Sequence, residues 1–266
     1  MNRIETCFSQ LKQQGRPGLI TFTMAGDPSF DVSLEIIKTL AKAGSDMIEI
    51  GMPFSDPAAD GPTIQLAGQR ALKQGINLHH VLNLVSAFRS ENATTPLILM
   101  GYYNPILSYG VEPFVRDAAA AGADGFIVVD VPPEEDHELF NACREYGLHL
   151  IKLVTPTTDE KRLEVILPHA GGFLYYVSIA GITGTKIAST ESIERAVQHF
   201  KHHTTLPVAV GFGIKGPHQA LALKNAADAV VVGSALVAFI EQNLASPQKA
   251  IQPIEELVQS IAAALA

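Results

Sequence analysis

The chain has 266 residues, of which 47% are hydrophobic and 17% charged, and its formal net charge is −8 at pH 7. That balance excludes a disordered chain and argues against nucleic acid or an anionic membrane as partner, since an acidic surface repels phosphate-rich polymers. Two cysteines, Cys7 and Cys143, lie far apart without a Cys-x-x-Cys pair, which points to a reducing compartment with neither disulfide nor zinc framework. The opening MNRIETCFSQLKQQ lacks the apolar core of a signal peptide. The most apolar window, AADAVVVGSALVAFI, carries Asp228 and is too short to span a bilayer, so the expectation is a soluble, cytoplasmic protein.

Along the chain, an N-terminal helix is expected over 2–14. Apolar, strand-like runs follow at 19–25, 46–50, 96–101, 124–130, 148–154, 172–178, 206–211 and 228–233. Helix-like segments separate them, several ending at a glycine just past the last periodic residue. The phrases AKAGSDMIEI, AAAGADGFIV and LKNAADAVVVG repeat one order: helix end, turn, aspartate, buried strand. Eight alternating units with near-continuous apolar strands predict a parallel sheet covered by helices, closed into a single (β/α)8 TIM barrel over residues 1–266. Strand starts lie 22 to 34 residues apart, except that the second and third are 50 apart. The extra chain, GPTIQLAGQRALKQGINLHHVLNLVSAFRS, can hold two helices on the face where barrel active sites sit.

That insertion begins with EIGMPFSDPAADGP, residues 49–62. Side chains alternate along DMIEIG, so Ile48 and Ile50 share one side and Glu49 takes the other, pointing into the barrel. A buried glutamate is costly unless paired, which favours a functional acid over a structural one. Asp60 stands in an Asp-Gly turn and Asp56 before a proline, and each also reads as a loop acid. Late in the chain, GFGIKG (211–216) and GSAL (233–236) place glycines after the seventh and eighth strands. Close backbone approach and free helix N–H groups suit a phosphate there, with Ser234 adding a hydroxyl. The same glycines match the dinucleotide pattern G-x-G-x-x-G, but too little chain follows to build that domain.

Other features read as structure. PPEED (132–136) suits a helix start. Lys152 lies in an apolar strand, and whether it faces the barrel depends on register. His199, His202 and His203 have metal-like spacing but no neighbouring cysteine or acid, so they read as the solvated end of a helix. No metal is expected.

The motifs EIGMPFSDPAADGPTIQ, TFTMAGDP, GYYNPI, VVDVPPEE, SIAGITG, GFGI and GSA, in this order along essentially the whole chain, resemble the tryptophan synthase alpha chain family. The resemblance implies a carbon–carbon lyase that cleaves indole-3-glycerol phosphate to indole and glyceraldehyde 3-phosphate without a cofactor in this chain. It implies Glu49 and Asp60 as the catalytic carboxylates and Tyr175 as a supporting tyrosine. Phe22, Met100, Ile127 and Leu153 would line the indole pocket, and Gly184, Gly213, Gly233 and Ser234 would hold the phosphate. Thr183 matches a lid threonine that bonds Asp60 on closure. Pro53, Asp56, Tyr102 and Asn104 match a rim facing a pyridoxal-phosphate (PLP) dependent beta chain in an alpha2-beta2 heterotetramer, to which indole passes for L-tryptophan synthesis. Ile179 and Phe173 depart from residues common in the family, an arginine and a tyrosine.

Overall fold

A computed structural model of the chain describes residues 2–178, 189–211 and 213–266. Nine strands form one parallel sheet: β1 Gly18–Met24, β2 Met47–Gly51, β3 Leu97–Gly101, β4 Gly125–Val128, β5 His149–Leu150, β6 Lys152–Val154, β7 Leu174–Val177, β8 Val208–Gly211 and β9 Ala229–Val232. Their order is β5-β4-β3-β2-β1-β9-β8-β7-β6. The sheet begins and ends on β5 and β6, which are two pieces of the single fifth strand read from the sequence. The break falls at Ile151, whose N–H still donates to the Phe126 carbonyl at 2.8 Å. One piece therefore pairs with β4 and the other with β7, and the sheet closes into the (β/α)8 barrel.

Alternation along the strands divides the core in two. Outward residues such as Ile48, Ile50, Leu97, Leu99 and Phe126 pack under the surrounding helices. Inward residues Ile20, Met47, Ile98, Ile127, Ile151, Phe173, Tyr175, Ala209, Ala229 and Val231 form the barrel interior. The helix Arg3–Gln14 closes the N-terminal end by adding Ile4, Phe8 and Leu11 to that interior, with Phe8 against Phe173 at 5.7 Å between ring centroids. Its start is set by Asn2 and Glu5 in a reciprocal capping box, and its end by Gly15 at φ 66°.

The recurring aspartate before a strand has a shared task. Asp46, Asp124 and Asp228 each accept, at 2.8 Å, the first free N–H of the preceding strand in the sheet: Leu19, Leu97 and Val208. Each also meets cations: Arg16 on Asp46, Arg3 and Arg89 on Asp124, Lys201 on Asp228. These acids fasten the N-terminal rim, opposite the C-terminal strand ends.

Two helices, Pro62–Lys73 and Leu78–Arg89, fill the long span between β2 and β3, where the sequence spacing places them. PPEED does not start a helix. It lies in a turn that ends at Asp136, the N-cap of the helix His137–Glu145, and the Asp136 side chain bonds Lys152 and His169 instead of the helix N–H groups. Lys152 accordingly faces outward on the fifth strand, not into the barrel. A seven-residue helix, Tyr103–Tyr109, occupies the GYYNPI region after β3.

Candidate active site

Glu49 sits on β2, in register with Phe22 of β1 and Ile98 of β3, both inward-facing. It is 1% exposed, and neither carboxyl oxygen has a hydrogen-bond partner among the described residues. Burial alone pushes its pKa up to about 8. Among the described residues, apolar surroundings with no compensating donor hold the group protonated at neutral pH. Tyr175 stands on β7 in register with Leu153, and its hydroxyl is pushed far up by burial and by the nearby Glu49 charge.

Two strand-end glycines make room for the rings around this acid. A Cβ on Gly211 would lie 2.3 Å from the Tyr175 Oη, and one on Gly51 would lie 2.6 Å from the Phe22 Cζ. Both glycines occupy inward positions, so any side chain there would fill the space above Glu49. Met100 pairs in register with Gly51 and with Ile127. Phe22, Met100, Ile127 and Leu153 thus share the inward side of β1, β3, β4 and β6, buried or half-buried.

Asp60 comes from the loop between β2 and the helix Pro62–Lys73 and is half-buried. Burial raises its pKa, and a hydrogen bond from the Tyr102 hydroxyl opposes the rise. Tyr102 also accepts the Ala59 N–H at 3.0 Å and packs its ring 5.2 Å from that of Phe54. Gln65 donates to the Asp60 carbonyl at 2.9 Å. Asp27, fully buried in the loop after β1, receives Arg70 through two bonds of 2.7 Å, which ties that loop to the helix following Asp60. The acid-bearing loop is therefore braced from three elements. No hydrogen bond among the described residues joins Asp60 to Glu49.

At the phosphate-like end, Gly213 has φ 88°, a left-handed conformation that favours glycine. Gly233 caps the helix Ser234–Gln242, and a Cβ there would come within 3.2 Å of the Phe22 Cβ. The first N–H groups of that helix have no carbonyl within it to bind, and the Ser234 hydroxyl is exposed beside them. Gly184, Thr183 and Ile179 lie outside the described residues.

Of the four residues expected on a partner-facing rim, Asp56 and Asn104 are exposed, whereas Pro53 is buried and Tyr102 is 5% exposed. Tyr102 as the hydrogen-bond partner of Asp60 is the site feature that sequence reading missed. Its one signal was position, directly after β3 beside the acid-bearing strand. Cys7 and Cys143 are free thiols, both pushed up to about 12 chiefly by burial, so neither is a nucleophile.

A family model described as tryptophan synthase alpha chain matches residues 8–266. The tryptophan synthase subunit alpha of Legionella pneumophila str. Paris is 40% identical, with 100% of this chain and 98% of that chain covered and a TM-score of 0.93. A structure from Aquifex aeolicus VF5 is 40% identical, covering 100% and 99%, with a TM-score of 0.91. A chain of the aminoacrylate-bound tryptophan synthase of M. tuberculosis is 32% identical over 100% of both chains, with a TM-score of 0.89. An inward carboxyl on the second strand, a braced acid loop behind it, and this likeness over the full chain place the protein in the tryptophan synthase alpha chain family, as a lyase with the alpha-subunit role alongside a beta chain.

Proposed function

We propose that this chain, working as one barrel domain, cleaves indole-3-glycerol phosphate to indole and glyceraldehyde 3-phosphate by acid–base chemistry that requires no cofactor in this chain. The carrying observation is Glu49: a carboxyl buried in the barrel interior with no hydrogen-bond partner among the described residues and a pKa raised to about 8. Such a group arrives at neutral pH holding the proton the reaction needs.

Indole is a poor leaving carbanion, so C3 of the ring is protonated first, by Glu49, giving an indolenine. The Glu49 carboxylate then takes the proton from the hydroxyl on the adjacent side-chain carbon. That carbon becomes the aldehyde, and the electrons of the breaking carbon–carbon bond return to the ring and restore indole. The proton removed from the hydroxyl regenerates the acid. Asp60, ionised, accepts a hydrogen bond from the indole N–H and stabilises the positive charge that develops on nitrogen. Tyr175 supports Glu49, and Phe22, Met100, Ile127 and Leu153 hold the indole ring. Gly213, Gly233 and Ser234 bind the phosphate at a helix N-terminus, together with Gly184. Thr183 bonds Asp60 when the site closes. Asp56, Asn104, Pro53 and Tyr102 belong to the side that meets the beta chain, which carries PLP in an alpha2-beta2 assembly and receives the indole. No helix of the described residues is long and apolar enough to cross a membrane, and a cytoplasmic location fits a biosynthetic role.

The test is direct. Purified protein mixed with indole-3-glycerol phosphate, with and without a beta chain, should release indole. Glu49→Gln and Asp60→Asn should nearly abolish release while still binding substrate. No indole under either condition would remove the lyase assignment, and full turnover in Glu49→Gln would remove the proton shuttle.

A further inference from the structure

The helix Thr190–His203 carries His199 and His203 one turn apart on one face. In the sequence these histidines stand without an acid nearby. The fold supplies one: Glu160, the first residue of the helix Glu160–Ile166, from an earlier βα unit. The His203 Nε2 lies 4.0 Å from the Glu160 Oε1, and the His199 and His203 ring centroids are 5.1 Å apart. One ligating atom from each of the three residues lies within 4.8 Å of the others.

We propose that Glu160, His199 and His203 form a surface site for a late first-row divalent cation, with Zn2+ as its reference ion. Two imidazoles one helical turn apart with a carboxylate form a donor set that such ions favour. In a tetrahedral site with bonds of about 2 Å, the ligand atoms stand roughly 3.3 Å apart. Side-chain rotation closes that gap, because Glu160 and His203 are exposed. His199 is half-buried with its ring 5.7 Å from Phe200, so one ligand is already placed. Among the described residues, His203 is the sole ion-pair partner of Glu160, so no ammonium or guanidinium competes for its oxygens.

A second cluster in the fold shows the contrast. Asp136, His137 and His169 also converge, but both Asp136 oxygens are engaged, one by the Lys152 ammonium and the other by the His169 Nδ1 at 2.5 Å. A cation there would have to displace an ammonium from a fully buried carboxylate. Among the described residues the Glu160 site carries no such competitor. It shares no residue with the barrel interior, so it stands apart from the proposed lyase chemistry. A bound ion would join the helices Glu160–Ile166 and Thr190–His203, and ligation only in the folded state would raise the melting temperature.

Titration of Zn2+ into the metal-free full-length chain, followed by calorimetry, tests this. The expected result is one stoichiometric site, weakened about tenfold or more by His199→Ala or His203→Ala and several-fold by Glu160→Gln. His169→Ala should leave the affinity unchanged. Co2+ should show nitrogen- and oxygen-ligated visible bands with the native chain and lose them in the His199→Ala/His203→Ala double variant. Zn2+ should raise the melting temperature of the native chain but not of that variant. Unchanged affinity in His203→Ala, loss of binding in His169→Ala, or several weak equivalent sites would each overturn the proposal. All the substituted side chains are at least partly exposed, and circular dichroism of the metal-free variants establishes that each is folded.

Discussion

Glu49 pairs a functional need with a stability cost. A carboxyl with a folded pKa of about 8 keeps its proton where the unfolded chain, with an ordinary value of 4.5, has released it. Between those two values the native state binds more protons than the unfolded state, so native stability falls as pH rises from 4.5 to 8. Glu49→Gln removes that dependence, and the variant should be more stable than the parent at pH 8 by a few kcal/mol, on the order of several pKa units at about 1.4 kcal/mol each. Urea unfolding of both proteins at pH 5 and pH 8 measures it; equal pH slopes would mean the acid is not buried as described. The same pKa sets the alkaline limb of turnover, which should fall as pH rises through about 8 when the acid loses its proton. Asp60 has the complementary requirement. Its Tyr102 hydrogen bond lowers its pKa against the rise caused by burial. Tyr102→Phe should therefore move the acid limb of the pH–rate profile upward and lower turnover roughly tenfold, with the fold retained. An unmoved acid limb would assign Tyr102 to loop packing alone.

The strand ends show why backbone and side chain are chosen together. Gly51 and Gly211 occupy inward positions at the ends of β2 and β8, where Phe22 and Tyr175 need the space. Gly211→Ala would force its Cβ against the Tyr175 ring, and a destabilisation of about 1 to 3 kcal/mol is expected from overpacking, with a larger loss of activity as Tyr175 is displaced from Glu49. Thermal unfolding read alongside the turnover number separates the two effects. At the opposite rim, Asp124 holds Arg3, Arg89 and the Leu97 N–H at one carboxylate that is 2% exposed. Asp124→Ala leaves the Leu97 N–H without its acceptor and takes the counter-charge from Arg89, whose guanidinium keeps only the Gly122, Asn92 and Thr95 carbonyls, and should cost about 3 kcal/mol. Denaturant midpoints measure that loss; turnover per folded molecule should be unchanged, because the side-chain hydrogen bonds of Asp124 go to Arg3, Arg89 and Leu97, none of them a proposed site residue. The repeated aspartate was visible as a sequence phrase. Its purpose was not, because the N–H it accepts belongs to a strand 20 to 27 residues earlier.

Across the whole molecule, the sequence by itself determined the eight βα units, the long insertion after the second strand and the inward direction of Glu49. These follow from local rules: the period of the apolar pattern, the glycine stops and the alternation of side chains along a strand. Only the tertiary structure decided what stands opposite each group. It split the fifth strand at Ile151 to close the ring, turned Lys152 outward onto Asp136, set Tyr102 against Asp60 and brought Glu160 to the two histidines. A sequence pattern records which side of an element is apolar, whereas the partners met on either side come from elements distant in the chain, and closing the barrel is what brings them into contact.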